Sequence, residues 1–140
     1  PFMERYEKIQ LPTNELKKLT VGLVYLFGSY AEGVAGPASD YDIGVVFTDP
    51  AVIRGNTSEA YNALYDIFSE IFDLKNFRTI DIVFLERASL ELRFDAISHG
   101  VVLFESSPEF RADFEERVEM LYRDFKPLLD EFNRALLERV

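Results

Sequence analysis

Apolar residues fall along this chain in two kinds of run. Short, dense, β-branched runs predict strands, and runs with apolar residues at every third or fourth position predict helices. Val21 to Phe27 (VGLVYLF) is too apolar for anything but a buried strand. Tyr41 to Thr48 (YDIGVVFT) reads as a second strand, ended by Asp49-Pro50. Thr79 to Leu85 (TIDIVFL) reads as a third, and Val101 to Phe104 as a short fourth strand or edge. A first helix is expected over Glu4 to Leu19, broken or delayed by Pro12, so that Thr13 caps it and Leu16 and Leu19 face inward. A short helix is expected to start at Gly28-Ser29, before a loop through Gly33, Gly36 and Pro37.

Thr57 or Ser58 caps a helix to about Phe72, with Ala60, Leu64, Ile67, Phe68 and Ile71 at helical spacing. Another helix runs from Ser89 to Gly100, whose glycine suits a left-handed C-cap. Ser107-Pro108 is a strong helix start. Phe110, Phe114, Val118, Leu121, Phe125, Leu128, Phe132 and Leu136 then form one apolar stripe. Pro127 predicts a kink or two helices meeting near Lys126. The order of elements predicts one α+β or α/β domain over residues 1–140, a small sheet with helices packed on it and a helical region at about 107–138.

Composition narrows the function classes. The chain contains no cysteine, which excludes a disulfide framework, a thiol nucleophile and a cysteine-based zinc site. Its apolar runs are too short to span a bilayer, and the charged opening MERYEKIQ does not resemble a secretory signal, so a cytoplasmic protein is expected. The formal net charge of −10 disfavours stable binding to nucleic acid. Most of the 25 acidic residues keep the surface solvated; a few are candidates for holding cations.

The candidate chemistry lies in Gly28-Ser29, followed ten residues later by Asp40-Tyr41-Asp42. Gly28 permits a tight turn and close approach to a phosphate, and Ser29 offers a hydroxyl and an N–H. Strand alternation is expected to put Asp40 and Asp42 on one face, with Gly44 leaving room beyond them for a ligand and Tyr41, Ile43, Val45 and Phe47 pointing into the core. Asp81 stands inside TIDIVFL, where a carboxylate is out of place unless it is paired or binds metal. If that strand lies beside the Asp40–Asp42 strand, three carboxylates converge, and two magnesium ions about 3.5–4 Å apart could clamp a phosphoryl displacement.

LFGSYAEGVAGPASDYDIGVVF resembles the signature of the polymerase-β-type nucleotidyltransferase superfamily, whose smallest members are the minimal nucleotidyltransferases (MNT), with the match strongest over residues 21–85. The resemblance implies a short mixed sheet flanked by helices. It also implies that Asp40 and Asp42 bind both magnesium ions, and that Asp81 binds one metal and helps activate the attacking hydroxyl. LELRFDAISHGVVLFESSPEFRADFEERVEMLYRDFKPLL resembles the antitoxin branch of MNT proteins, usually paired with HEPN ribonuclease toxins. That implies transfer of AMP from ATP to a tyrosine of a cognate HEPN toxin. Two alternatives remain: a nucleotidyltransferase of small molecules such as an aminoglycoside, and a non-catalytic antitoxin that blocks its toxin sterically. Glu32 departs from the pattern, since many relatives carry arginine there. Either Glu32 faces solvent, or nucleotide binding is weakened, or Lys75, Arg78 or Arg87 supplies the positive charge. His99, the lone histidine, is expected to close a helix C-terminus.

Overall fold

A computed structural model describes residues 9–29, 31–36, 39–75 and 78–139. In chain order the elements are α1 (Thr13–Lys18), β1 (Val21–Phe27), β2 (Tyr41–Phe47), α2 (Ala51–Arg54), α3 (Ser58–Ile71), β3 (Ile80–Phe84), a 3-10 turn (Leu85–Arg87), α4 (Leu90–His99), β4 (Val101–Glu105) and α5 (Pro108–Glu138). The four strands lie in the order β3-β2-β1-β4. β1 is antiparallel to both β2 and β4, while β2 and β3 are parallel, joined by a crossover through α3. The sheet is therefore mixed, and the class is α+β. β4 is an edge, as expected.

Alternation divides the side chains between two cores. Tyr41, Ile43, Val45 and Phe47 join Leu16, Leu64, Phe68 and Ile82 on the α1/α3 face. Leu23, Tyr25, Phe27, Val46 and Leu85 pack with Ala96 and the first turns of α5 on the other. Each large apolar side chain taken fully out of water contributes roughly 1.5–3 kcal/mol. The α5 face also holds a polar tie. The Tyr25 hydroxyl donates to Glu115 Oε2 (2.8 Å), which also accepts from Arg111 Nε (3.1 Å). Burial and the neighbouring Glu115 carboxylate push the Tyr25 pKa upward, so the phenol stays protonated and donating. Among the described residues no helix is long and apolar enough to cross a membrane.

Several local expectations change. α1 begins at Thr13, but Pro12 occupies the capping position; Ile9 to Pro12 are not helical, and residues 1–8 lie outside the described ones. Ser89 and Ser107 do cap, accepting from Leu92 N–H and Phe110 N–H, with Pro108 in the first turn. A short helix, α2, occupies Ala51–Arg54, directly after the Asp49-Pro50 that ends the second strand segment. α5 is one helix through Pro127, not two. Proline lacks only one backbone donor, and its exposed position lets water meet the freed carbonyl. Gly100 is not left-handed: its backbone is extended (φ −79°, ψ 163°). Glycine is needed there for closeness instead, because a Cβ would lie 2.2 Å from the Ala96 carbonyl oxygen and 3.1 Å from that of Leu26.

Gly100→Ala should therefore lower stability by about 2 kcal/mol or more, the scale of overpacking against rigid backbone. Denaturant melts check this. An unchanged midpoint would mean that the α4–β4 junction is looser than the contacts show.

Candidate active site

The site forms where β1 ends and β2 and β3 begin. β1 stops at Gly28, which takes a positive φ of 71°. Glu32 N–H then donates to the Gly28 carbonyl (3.1 Å) and Val34 N–H to that of Ser29 (3.0 Å). The described residues of this segment form turns and not the short helix expected there, so no helix dipole acts at Ser29. Gly28 is fixed by a second constraint besides its φ. A Cβ on it would lie 2.2 Å from Asp42 Oδ2, so the turn rests directly against that carboxylate. Ser29 follows, half-buried at the same corner.

Asp42 lies between two strands. It pairs with Phe27 of β1 on one side and sits opposite Asp81 of β3 on the other, in parallel register. Asp42 is half-buried and Asp81 exposed. The Asp42 pKa is raised, first by burial, then by the charge of Asp81, then by that of Asp40. The fold has thus placed like charges side by side and withdrawn one of them from water, an arrangement that a bound cation would relieve. Asp40 precedes the strand and is exposed. Its Oδ1 accepts from Thr79 N–H (3.0 Å), while Tyr41 N–H donates to the Thr79 carbonyl (2.9 Å). One oxygen of Asp40 therefore staples the start of β2 to the approach to β3. Nothing in the sequence singles out this role of the Thr79 backbone.

The three aspartates are neighbours without being closed on one point. Among the described residues, the group whose three potential ligand atoms lie within 4.8 Å of one another is Glu32, Asp95 and His99. Glu32 is exposed and turned toward the end of α4, where His99 Nδ1 lies 3.1 Å from Asp95 Oδ1. Of the three bases considered as replacements for arginine at that position, Arg87 is engaged elsewhere, donating to the Ile53 and Gly55 carbonyls. Arg78 pairs with Asp73 (3.4 Å) and directly precedes Thr79, which places it nearest the carboxylates in sequence. Lys75 is exposed, its backbone N–H held by Asp73 Oδ1. Gly44 does not leave space for a ligand. Leu85 fills it, with three side-chain carbons 3.0–3.2 Å from where a Cβ would stand. The open corner therefore ends at Asp42.

A family model described as polymerase beta, nucleotidyltransferase, matches residues 7–109. No curated protein sequence matches. Solved structures show a similar fold. A toxin–antitoxin structure with AMP-PNP is 23% identical, with a TM-score of 0.57 over 87% of this chain and 98% of the other. An MNT antitoxin in complex with a tri-AMPylated HEPN toxin from Shewanella oneidensis is 20% identical, with a TM-score of 0.54 over 93% and 98%. An MntA-HepT toxin–antitoxin structure is also 20% identical, with a TM-score of 0.51 over 86% and 95%.

The raised Asp42 pKa carries a sign. Proton binding favours the folded state, so stability falls as pH rises from the ordinary value of 3.8 through the folded one, and the full penalty is present at neutral pH. Asp42→Asn should melt at the same temperature as the parent, or higher, at neutral pH without divalent cations. The gain should vanish below pH 3.8. Calorimetry across pH checks this, and a variant that melts lower at neutral pH would make the carboxylate a structural ligand.

Proposed function

The chain belongs to the polymerase beta nucleotidyltransferase family, and from that premise we propose that it transfers AMP from ATP to a hydroxyl of a partner protein, a tyrosine of a HEPN-type toxin, as the antitoxin of the pair. The observation that carries the transfer is the Gly28–Asp42–Asp81 corner: a turn lying on a half-buried carboxylate that faces a second carboxylate across a parallel pair. The toxin–antitoxin assignment draws on the fold neighbours, one described with AMP-PNP and one with an AMPylated HEPN toxin. The net charge of −10 also suits a protein acceptor better than a nucleic acid.

The residues fit divalent cations by donor chemistry. Asp40, Asp42 and Asp81 are hard oxygen donors, and burial, followed by the charges of Asp81 and Asp40, raises the Asp42 pKa. Magnesium bound by them would supply the positive charge that lets a triphosphate approach and polarises the acceptor oxygen. The chain's own residues do the rest. The backbone at Gly28 and Ser29 holds the phosphates in line with the incoming hydroxyl. Asp40 fixes the relative position of β2 and β3, and so the spacing of Asp42 and Asp81. Asp81, exposed at the mouth, takes the acceptor proton. The acceptor oxygen forms a bond to the α-phosphorus, the bond from that phosphorus to the bridging oxygen breaks, and pyrophosphate leaves with the bond's electrons.

Incubation with the partner toxin, ATP and magnesium should add AMP to the toxin, read by intact-mass spectrometry. Asp81→Asn should slow the addition by roughly 100-fold or more, the scale of losing a general base. A toxin neutralised without added mass, and equally well by Asp81→Asn, would support the steric reading instead.

A further inference from the structure

α5 runs on well past its last buried residue. Its first turns are held down by Phe110, Phe114 and the Tyr25–Glu115–Arg111 network, and Val118 is its last buried residue. Tyr122 stacks on Phe94 of α4, with ring centroids 3.8 Å apart. Beyond that contact Phe125, Leu128, Phe132 and Leu136 are 47–62% exposed. At 1.5 Å per residue, the stretch from Val118 to Leu136 extends about 27 Å.

The spacing of this stretch is that of a helix made to pack on another helix. Val118, Leu121, Phe125, Leu128, Phe132 and Ala135 follow alternating steps of three and four, the a and d positions of a heptad. Tyr122, Leu129 and Leu136 widen the stripe along one edge at steps of seven. Along the other edge, Arg117 is followed by Asp124, Glu131 and Glu138, again at steps of seven. Pro127 stands on the opposite side of the helix, where it does not interrupt the seam. We propose that the outer half of α5 docks a helical segment of a different protein, one that carries lysine or arginine beside its own apolar seam.

The acidic edge selects that occupant. A second copy packed antiparallel would set Asp124 opposite Glu131 of the partner helix, and one packed parallel would set the acids against Tyr122, Leu129 and Leu136. Each copy would also bring its own charge of −10. A basic edge satisfies Asp124, Glu131 and Glu138 in either direction. The inner end of the seam is continuous with a cavity of about 460 Å³ lined in part by Phe110, Phe114, Val118 and Leu121. Glu86 and Arg93 also line it, so the pocket offers an anchoring side chain charged as well as apolar walls. This surface stands on α5 alone and does not depend on nucleotide transfer.

The test uses the full chain and a synthetic three-heptad peptide with leucine at a and d and lysine at e and g, beside its glutamate counterpart. The lysine peptide should bind and the glutamate peptide should not. The double variant Leu128→Ser, Phe132→Ser leaves the charge unchanged and touches only exposed residues, so its thermal melt and its ATP binding should match the parent. It should bind the lysine peptide roughly ten-fold or more weakly, the scale of losing two anchors. Equal binding by the double variant would reduce the effect to general attraction for an acidic protein and overturn the proposal. So would failure of the lysine peptide to bind. Sedimentation of the chain alone should show a monomer; a dimer abolished by the same two substitutions would make the occupant a second copy and overturn it equally.

Discussion

The structure turns on one unfavourable contact, the side-by-side placement of Asp42 and Asp81 in a parallel pair. An antiparallel hairpin could join neighbouring strands with two residues, but a parallel pair needs a crossover, and α3 provides it. The apolar face of α3, with Leu64 and Phe68 fully buried, binds that crossover to the sheet firmly enough to hold two like charges in register. The Asp40 link to Thr79 adds a polar staple at the same end. Stability gained on the α1/α3 face thus offsets electrostatic strain built into the corner of the sheet, the usual relation between a scaffold and a functional site.

The two sheet faces divide the labour. On the α1/α3 face the apolar side chains of β2 run unbroken from Tyr41 to Phe47. On the α4/α5 face the same strand offers Asp42, Gly44 and Val46, and the cover stops at Leu85 over Gly44. The half-burial of Asp42 follows from that boundary, and with it the raised pKa.

Strands and long helices were legible because their signals are local and repetitive. VGLVYLF can be satisfied only by a strand covered on both faces, and Ser107-Pro108 carries its own cap. The aspartate chemistry was legible because a carboxylate inside TIDIVFL conflicts with its surroundings. What escaped depended on contacts between distant segments. Gly100 and Gly44 are glycines for what lies above them, the Ala96 carbonyl and Leu85, and a glycine in a sequence does not say which neighbour excludes its side chain. Glycine followed by serine fits both a helix start and the turn found after Gly28. The role of Asp40 rests on the Thr79 backbone, 39 residues away. Pro127 does not divide α5, because at its exposed position water can meet the carbonyl it leaves unpaired.

Glu32 shows how the site differs from a motif that carries arginine at this position. A turn that pointed Glu32 at Asp42 would add a fourth negative charge to the corner. Its exposed position beside His99 and Asp95 at the end of α4 avoids that. Arg87 is committed to the Ile53 and Gly55 carbonyls at the end of α2, while Arg78, paired with Asp73, stands directly before Thr79 on the approach to β3. On the proposed reading, β3 delivers the acceptor-side carboxylate, Asp81, and the segment entering it carries Arg78. A shift in β3 would change both together, which makes the Asp40 link to Thr79 a positioning contact for charge balance as well as for geometry.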